Sequence, residues 1–125
     1  MATRGTIAVV HQCGTVSQVY AHWDNYLEGT GQTLLDHYNS LALAECLVNG
    51  GDISSVANTV DTTVYYGRDR GEDNMEARAF GNLNSYYKGL QPEEYNYLFT
   101  NGQWLVEHYE SGGEYVPLTE ALQSA

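Results

Sequence analysis

The sequence is poor in cysteine and in long apolar runs, and each shortage excludes a class of protein. Only two cysteines, Cys13 and Cys46, occur among 125 residues, with no C-x-x-C pair and no paired histidine spacing. This usage predicts free thiols in a reducing compartment, with a Cys13–Cys46 disulfide as the alternative, and no metal site or cofactor. No apolar run approaches the ~20 residues of a membrane-spanning helix, and the N-terminus has no secretory apolar stretch. We therefore expect a cytoplasmic protein without a membrane partner.

Basic residues are also scarce, since five lysines and arginines stand against 16 aspartates and glutamates. The formal net charge is −11. Lysine and arginine supply the contacts to a nucleic-acid backbone, so direct nucleic-acid binding is not expected. The charge suits a surface that imitates a nucleic acid in a basic groove, or one that speeds docking onto a basic partner. Solubility alone is the plain alternative.

What the chain does contain is enough apolar and aromatic material for one folded domain. Residues of the apolar types make up 42% of the sequence, and eleven tyrosines are present. The length predicts a single domain over residues 1–125, with a flexible C-terminal end from about residue 111. Tyrosine suits positions with one end buried and the other wet, which include binding surfaces, although a tyrosine-rich sheet face explains the count equally.

The clearest structural signal lies in residues 94–108, where Asn101-Gly102 separates two apolar runs. Asn-Gly is the preferred pair for a two-residue type I′ turn, because both positions need a positive φ. Such a turn fixes the register of a hairpin and places Phe99 opposite Trp104. The aromatic side chains then share one face, which further strands or a helix must cover.

A second hairpin is predicted over residues 6–21, around a two-residue turn at Cys13-Gly14. That turn places Ala8 opposite Val19. Small apolar residues then share one face of the hairpin, which suits a closely packed helix.

The remaining segments predict helices and short strands. Apolar residues recur at three- and four-residue steps over residues 28–48 and predict a helix that is divided at Ser40, which caps the second half. The other predicted elements are a strand over 62–67, a charged loop over 67–74, its partner strand over 76–80, a helix over 83–88, and a strand or helix over 116–122. The predicted fold is of the α+β class, an antiparallel sheet built from hairpins with helices packed on one face.

Basic residues gather at one place only, since three of the five fall between positions 68 and 78. Two arginines in a glycine-flanked loop can fork onto a phosphate or a carboxylate. The alternative is that they pair with the acidic residues beside them. The candidate residues for binding a ligand or partner are Tyr65, Tyr66, Arg68, Asp69, Arg70, Glu72 and Arg78.

No catalytic arrangement is expected, because the sequence does not pair a nucleophile with a base. Cys46 falls on the apolar stripe of the predicted helix and is expected in the core. Cys13 is expected in an exposed turn without an activating neighbour. His108 is expected to pack against Tyr95 in the C-terminal hairpin.

Five stretches along the chain form a recognisable pattern. They are residues 3–10 (TRGTIAVV), 16–27 (VSQVYAHWDNYL), 50–55 (GGDISS), 64–72 (VYYGRDRGE) and a closing Tyr-Leu-Phe-x-x-Gly-x-Trp. Together they resemble a family of small proteins, of unassigned function, encoded in bacteriophage and prophage genomes. The resemblance covers most of the chain and implies a phage setting, without a mechanism. Cys13 departs from it, since an acidic turn residue is expected there.

These observations favour a phage accessory protein that is not an enzyme. It is expected to bind and inhibit a bacterial host protein, from a defence or nucleic-acid-handling complex, as anti-CRISPR proteins do, through an acidic, tyrosine-rich surface in the host cytoplasm. The alternative is a protein that binds or sequesters a small nucleotide-type ligand, with arginine on phosphate and tyrosine stacked on the base. A homodimer that pairs an exposed strand of the C-terminal hairpin is also considered.

Overall fold

A computed structural model of the chain describes residues 3–89 and 93–124. Over these residues it forms one eight-stranded sheet with helices on both faces. The strands are β1 (Gly5–Val10), β2 (Val16–Trp23), β3 (Ile53–Ser55), β4 (Val64–Tyr65), β5 (Arg78–Phe80), β6 (Tyr95–Thr100), β7 (Gln103–His108) and β8 (Val116–Pro117). The helices are α1 (Gln32–His37), α2 (Leu41–Asn49), α3 (Tyr66–Arg70), α4 (Leu83–Gly89) and α5 (Leu118–Ser124), with a π-helical turn at Leu27–Gly31 before α1 and a 3₁₀ turn at Tyr109–Ser111.

The strands follow the order β4-β3-β2-β1-β6-β7-β8, and β5 pairs with the first half of β2. Most neighbours are antiparallel, while β1 with β6 and β2 with β3 run parallel. The outermost strands are only two or three residues long, which limits the unpaired backbone open to another chain. Since β6 lies between β1 and β7, and β8 covers the middle of β7, the hairpin strand considered for homodimer pairing is already partly covered.

The C-terminal hairpin is confirmed in its turn and in its register. Asn101 and Gly102 have φ values of 51° and 79°, as a type I′ turn requires. Phe99 lies opposite Trp104, and their rings make an edge-to-face contact at 5.2 Å between centroids. Helices cover the aromatic face of this hairpin, and a two-stranded hairpin needs such cover to be stable.

The register predicted for the N-terminal hairpin is wrong by one residue. Ala8 lies opposite Gln18 rather than Val19, because the loop contains three residues, Gln12, Cys13 and Gly14. A three-residue loop ends with a residue of positive φ, and Gly14 has a φ of 94°. A shift of one residue moves every side chain of a strand to the opposite face.

The larger core lies on the face of the sheet that the odd-numbered residues of β1 and β2 occupy. The π-helical turn, α1, α2 and α5 pack against it. The division of the helical region is confirmed: Ser40 caps α2 by accepting a hydrogen bond from the backbone N–H of Leu43 at 3.2 Å. The indole N–H of Trp104 donates to the carbonyl of Tyr38 at 3.1 Å, which ties the hairpin to the end of α1.

A smaller core lies on the second face, where α4 packs. Tyr86 of α4 is fully buried against Ala8 and Leu98, and its hydroxyl lies 2.9 Å from that of Tyr115. Asn82 caps this helix, because its side chain accepts the backbone N–H of Ser85 at 2.8 Å. The α+β class is confirmed, with one helix on the face that was expected to be bare.

The segment that carries the arginines folds differently from the expectation. The charged loop predicted over 67–74 begins as the short helix α3, and the strand before it is reduced to β4. β5 pairs with β2 and not with the strand over 62–67. The segment 116–122 contains both expected alternatives in succession, since β8 leads directly into α5, where Leu118 is buried.

Two further expectations concern the thiols and the membrane. Cys13 and Cys46 are both free, so the disulfide alternative is wrong. Both are exposed, so the placing of Cys46 in the core is also wrong. Within residues 3–89 and 93–124, no helix has the length and the apolar content to cross a membrane.

Candidate functional site

The hydrogen bonds of the Arg68 guanidinium are made to neighbours in the chain, within residues 60–69. Its Nε and Nη2 donate to the two carboxylate oxygens of Asp69, each at 2.9 Å. Its Nη1 donates to the carbonyl of Val60 at 3.0 Å, and Nη2 donates to that of Thr63 at 2.6 Å. The guanidinium also lies 4.7 Å from the centroid of the Tyr65 ring. Arg68 therefore holds the turn before β4 in place, which is the local pairing considered as the alternative to a phosphate contact.

The partners of Arg68 are equally committed to the fold. Asp69 accepts the backbone N–H of Tyr65 at 2.8 Å, and the hydrogen bonds from Arg68 hold the pKa of this carboxyl below its ordinary value. Tyr65 is fully buried, and its hydroxyl donates to the carbonyl of Leu47 at 2.6 Å. Burial raises the pKa of Tyr65. The Tyr65 hydroxyl is thus used in a buried hydrogen bond, and Nε, Nη1 and Nη2 of Arg68 all donate within the fold.

The other predicted residues lie on the second face of the sheet or in solvent. The guanidinium of Arg70 sits 5.1 Å from the centroid of the Tyr66 ring, and its Nη2 lies 3.3 Å from Ser54 Oγ. Arg78 is exposed and makes only a long contact to Asp52, at 3.9 Å. Glu72 is exposed in the turn after α3. Arg70 and Arg78 are therefore less occupied within the fold than Arg68, whose Nε, Nη1 and Nη2 all donate to neighbouring groups.

Arg78 borders a cavity of about 280 Å³ on the second face, between the sheet and the end of α4. Its floor includes Gln18, which is 3% exposed and whose side-chain nitrogen has no hydrogen-bond partner. Asp52 lies next to Arg78, and its carboxylate accepts the backbone N–H of Tyr20 at 2.9 Å. Burial raises the pKa of Asp52. A buried amide without a partner and an exposed arginine form a small polar pocket suited to an anion.

A larger groove, of about 410 Å³, opens where β2 ends and the π-helical turn begins. Two large aromatic side chains line it with their rings half in solvent, Trp23 at 48% exposure and Tyr26 at 42%. The carboxylates of Asp24 and Glu28 lie among its lining residues, which include no lysine or arginine. Exposed aromatic rings beside carboxylates, in a protein of net charge −11, form a surface that attracts cations.

The backbone that carries these two aromatic side chains is held firmly. The carbonyl of Asp24 accepts both the N–H and the hydroxyl of Thr30, at 3.0 and 2.9 Å. The carbonyl of Asn25 accepts the buried hydroxyl of Tyr97 at 2.6 Å. The side-chain amide of Asn25 donates to the carbonyl of Ala21 at 3.0 Å. The groove is therefore preorganised, which reduces the entropy lost when a partner binds.

The groove was not among the predicted site residues. The signal for it in the sequence is the run Trp23-Asp-Asn-Tyr26, two aromatic residues around an acid, followed by Glu28. Sequence alone does not show that these side chains stay exposed, because Leu27 from the same run is buried in the core.

One serine lies beside a histidine in the fold, a contact that the sequence did not indicate. Ser17 Oγ lies 2.7 Å from His11 Nε2, and His11 Nδ1 lies 2.6 Å from a carboxylate oxygen of Glu45. His108 is placed as expected, stacked on Tyr95 with 5.4 Å between ring centroids. Among the described residues, no three or more histidine, cysteine or acidic side chains are placed to hold a metal ion.

Comparisons of the chain with protein-family models, with curated proteins and with solved structures found no match.

Proposed function

We propose that this protein binds a basic surface of a bacterial host protein, with the groove at Trp23 and Tyr26 as its central contact. The observation that carries the proposal is the pair of half-exposed aromatic rings flanked by Asp24 and Glu28, where β2 leads into the π-helical turn. Aromatic residues are enriched at the energetic centres of protein interfaces. Scattered apolar residues occur on any surface, but here two of them share one concave site with charge of a single sign.

The chemistry of the groove selects a lysine or arginine side chain of the partner. A guanidinium or ammonium group placed over the face of Trp or Tyr gains a cation–π attraction, and the same group can pair with a carboxylate beside the ring. The overall charge of −11 then steers the basic surface toward this protein from a distance. An acidic surface that occupies such a patch prevents the partner from using it on nucleic acid.

The biological setting in this proposal is the cytoplasm of a phage-infected bacterium. It is supported by the resemblance of the sequence to small phage and prophage proteins. The partner would then be a component of a defence or nucleic-acid-handling complex, because these proteins carry basic surfaces for phosphate backbones.

Affinity capture from a bacterial lysate at two salt concentrations tests this function. A partner held by charge is expected to be retained at ~0.05 M salt and largely lost at ~0.5 M, since salt screens exposed charges. The double variant Asp24→Asn/Glu28→Gln is expected to lose the same protein at low salt. The matched control is Asp36→Asn/Glu120→Gln, two exposed carboxylates elsewhere, and each double variant changes the net charge from −11 to −9 by removing two negative charges.

The outcomes separate a specific site from general acidity. Loss with the groove variant and retention with the control support the proposal. Equal loss with both variants would mean that charge acts without the groove. A protein retained equally at high salt with all three forms would contradict the proposal.

A second candidate function, the binding of a small anion, is favoured by the cavity on the second face. Gln18 presents an unpartnered buried nitrogen there, and Arg78 borders the cavity without a close ion pair. With ATP as the probe in equilibrium dialysis, Arg78→Ala should weaken binding ~10-fold or more, while Lys88→Ala on α4 should not. Failure of the unaltered protein to bind ATP, or an equal effect of both variants, would remove this candidate for nucleotide ligands.

A further inference from the structure

Three side chains from separate elements meet on the face of the sheet that carries the larger core. Ser17 lies in β2, His11 follows β1, and Glu45 lies in α2. Both ring nitrogens of His11 are used, with Nε2 at 2.7 Å from Ser17 Oγ and Nδ1 at 2.6 Å from Glu45. The histidine is thus fixed in orientation from both sides, while none of the three side chains is fully buried.

The positions of the protons in the hydrogen-bonded series Glu45–His11–Ser17 follow from the chemistry of the two outer side chains. An ionised carboxylate only accepts hydrogen bonds, so the proton of a neutral His11 lies on Nδ1 and donates to Glu45. Nε2 is then the acceptor, and the Ser17 hydroxyl donates to it. A serine with a base on its hydroxyl and a carboxylate behind that base is the arrangement that activates serine as a nucleophile.

A cavity of about 310 Å³ opens beside the three residues. Its lining includes His11, Ser17 and Glu45 together with the apolar side chains of Val48 and Ala77. Asn49, at the end of α2, also lines it and brings a side-chain amide that can donate to an oxyanion. The room is sufficient for a small acyl group, and the apolar wall suits an uncharged one.

We propose that Ser17, His11 and Glu45 form an acyl-transfer site for small uncharged carboxylic esters. Ser17 Oγ attacks the ester carbonyl carbon while its proton passes to His11 Nε2. The carbon–oxygen bond to the alcohol then breaks, and the alcohol leaves with the proton from His11. Water, activated in turn by His11, attacks the acyl-serine and releases the acid, so that ester and water become acid and alcohol.

The roles are distinct. Ser17 and His11 are catalytic residues, because they touch the reacting atoms. Glu45 is a positioning residue, which fixes the tautomer and the direction of the imidazole. The site is independent of the proposed partner groove, since Trp23 lies six positions after Ser17, a distance of ~20 Å along β2.

The test is covalent labelling of the unaltered protein with a fluorophosphonate probe, followed by mass spectrometry of the intact chain and of its peptides. The serine oxygen forms a bond to phosphorus, the phosphorus–fluorine bond breaks, and hydrogen fluoride is released. The expected result is one phosphonyl group per chain, on Ser17. No adduct in the folded wild-type protein, or an adduct on other residues instead, overturns the proposal without any variant having to fold.

Variants then assign the roles, with the thermal unfolding midpoint of each recorded. Ser17→Ala should abolish labelling, and His11→Ala should slow it ~100-fold or more. Glu45→Gln should lower the maximal labelling rate at unchanged probe affinity, a split that mere loosening of the cavity does not produce. The matched controls are Ser85→Ala and His37→Ala, both at exposed positions on other helices, and Cys46→Ser within the cavity. Labelling should survive all three, and its loss in Cys46→Ser alone would assign the reaction to the thiol and overturn the role of Ser17.

Discussion

Replacing Trp23 with alanine is expected to weaken binding of the captured partner by ~30-fold or more. A tryptophan at the centre of an interface typically contributes ~2–4 kcal/mol when it is truncated, and each ~1.4 kcal/mol corresponds to a tenfold change in Kd. Trp23 offers the largest aromatic surface in the groove, at the end of β2, and the backbone that follows it is held by a buried hydrogen bond. Titration calorimetry with the purified partner measures the change.

The matched control for this prediction is Tyr87→Ala. Tyr87 is an aromatic residue of similar exposure, 44%, on α4 and outside the groove. We expect its replacement to change the affinity less than threefold. An equal loss of affinity in both variants would show that exposed aromatic surface in general, and not this groove, binds the partner.

Replacing Gly51 with alanine is expected to produce a large loss of stability, about 3 kcal/mol. Gly51 follows α2 with a φ of 89°, where a side chain adds ~1–2 kcal/mol of strain. A β-carbon at this position would also collide with the backbone carbonyl oxygen of Met75, which accepts the N–H of Asp52 at 2.7 Å and cannot move away freely. Such overpacking adds ~1–3 kcal/mol. Urea denaturation, with the free energy of unfolding extrapolated to water, measures the effect.

Gly102→Ala provides the comparison, because Gly102 has a similar φ of 79° but open space around the added carbon. It is expected to lose only the strain component, ~1–2 kcal/mol. If the two variants lost the same free energy, the contact between residue 51 and the Met75 carbonyl would not contribute, and the close approach after α2 would be contradicted.

The two hairpins show which part of the fold can be predicted from local chemistry. Asn101-Gly102 permits essentially one turn, and that turn determines the register of the whole C-terminal hairpin. Gly14 can close either a two-residue or a three-residue loop, and Gln12 carries no signal that separates the two. The helix caps at Ser40 and Asn82 were predictable for the same reason as the Asn-Gly turn, since a cap depends on a few adjacent residues.

The partner strand of β5 illustrates what could not be predicted. β5 contains three residues, and it contacts β2 across about sixty positions of sequence. Short strands carry little pattern of their own, and their pairing depends on the completed sheet. The predicted strand pair over 62–67 and 76–80 was the simplest arrangement of neighbours, but in the fold β4 pairs with β3 and β5 pairs with β2.

The candidate sites, too, could be predicted only where the contacts join neighbouring residues of the sequence. The acidic residues beside Arg68 indicated local pairing, and Asp69 supplies it. The groove brings together the end of β2, the π-helical turn and the residues after β3, so no single stretch of sequence contains it. The contact of Ser17 with His11 and Glu45 likewise joins residues 6 and 34 positions apart. Sequence motifs are defined by the spacing of residues within one element, so they do not reveal contacts between side chains on different elements.

The most direct test of the central claim is site-specific photocrosslinking in bacteria, with a benzophenone amino acid placed at Tyr26 or, as control, at Tyr87. Position 26 is expected to form a covalent adduct with one host protein, and the linked peptide is expected to contain lysine or arginine beside the attachment point. Position 87 is expected to form no such adduct. An adduct from position 87 alone, or a linked peptide at position 26 without a basic residue, would contradict the claim that the groove binds a basic partner.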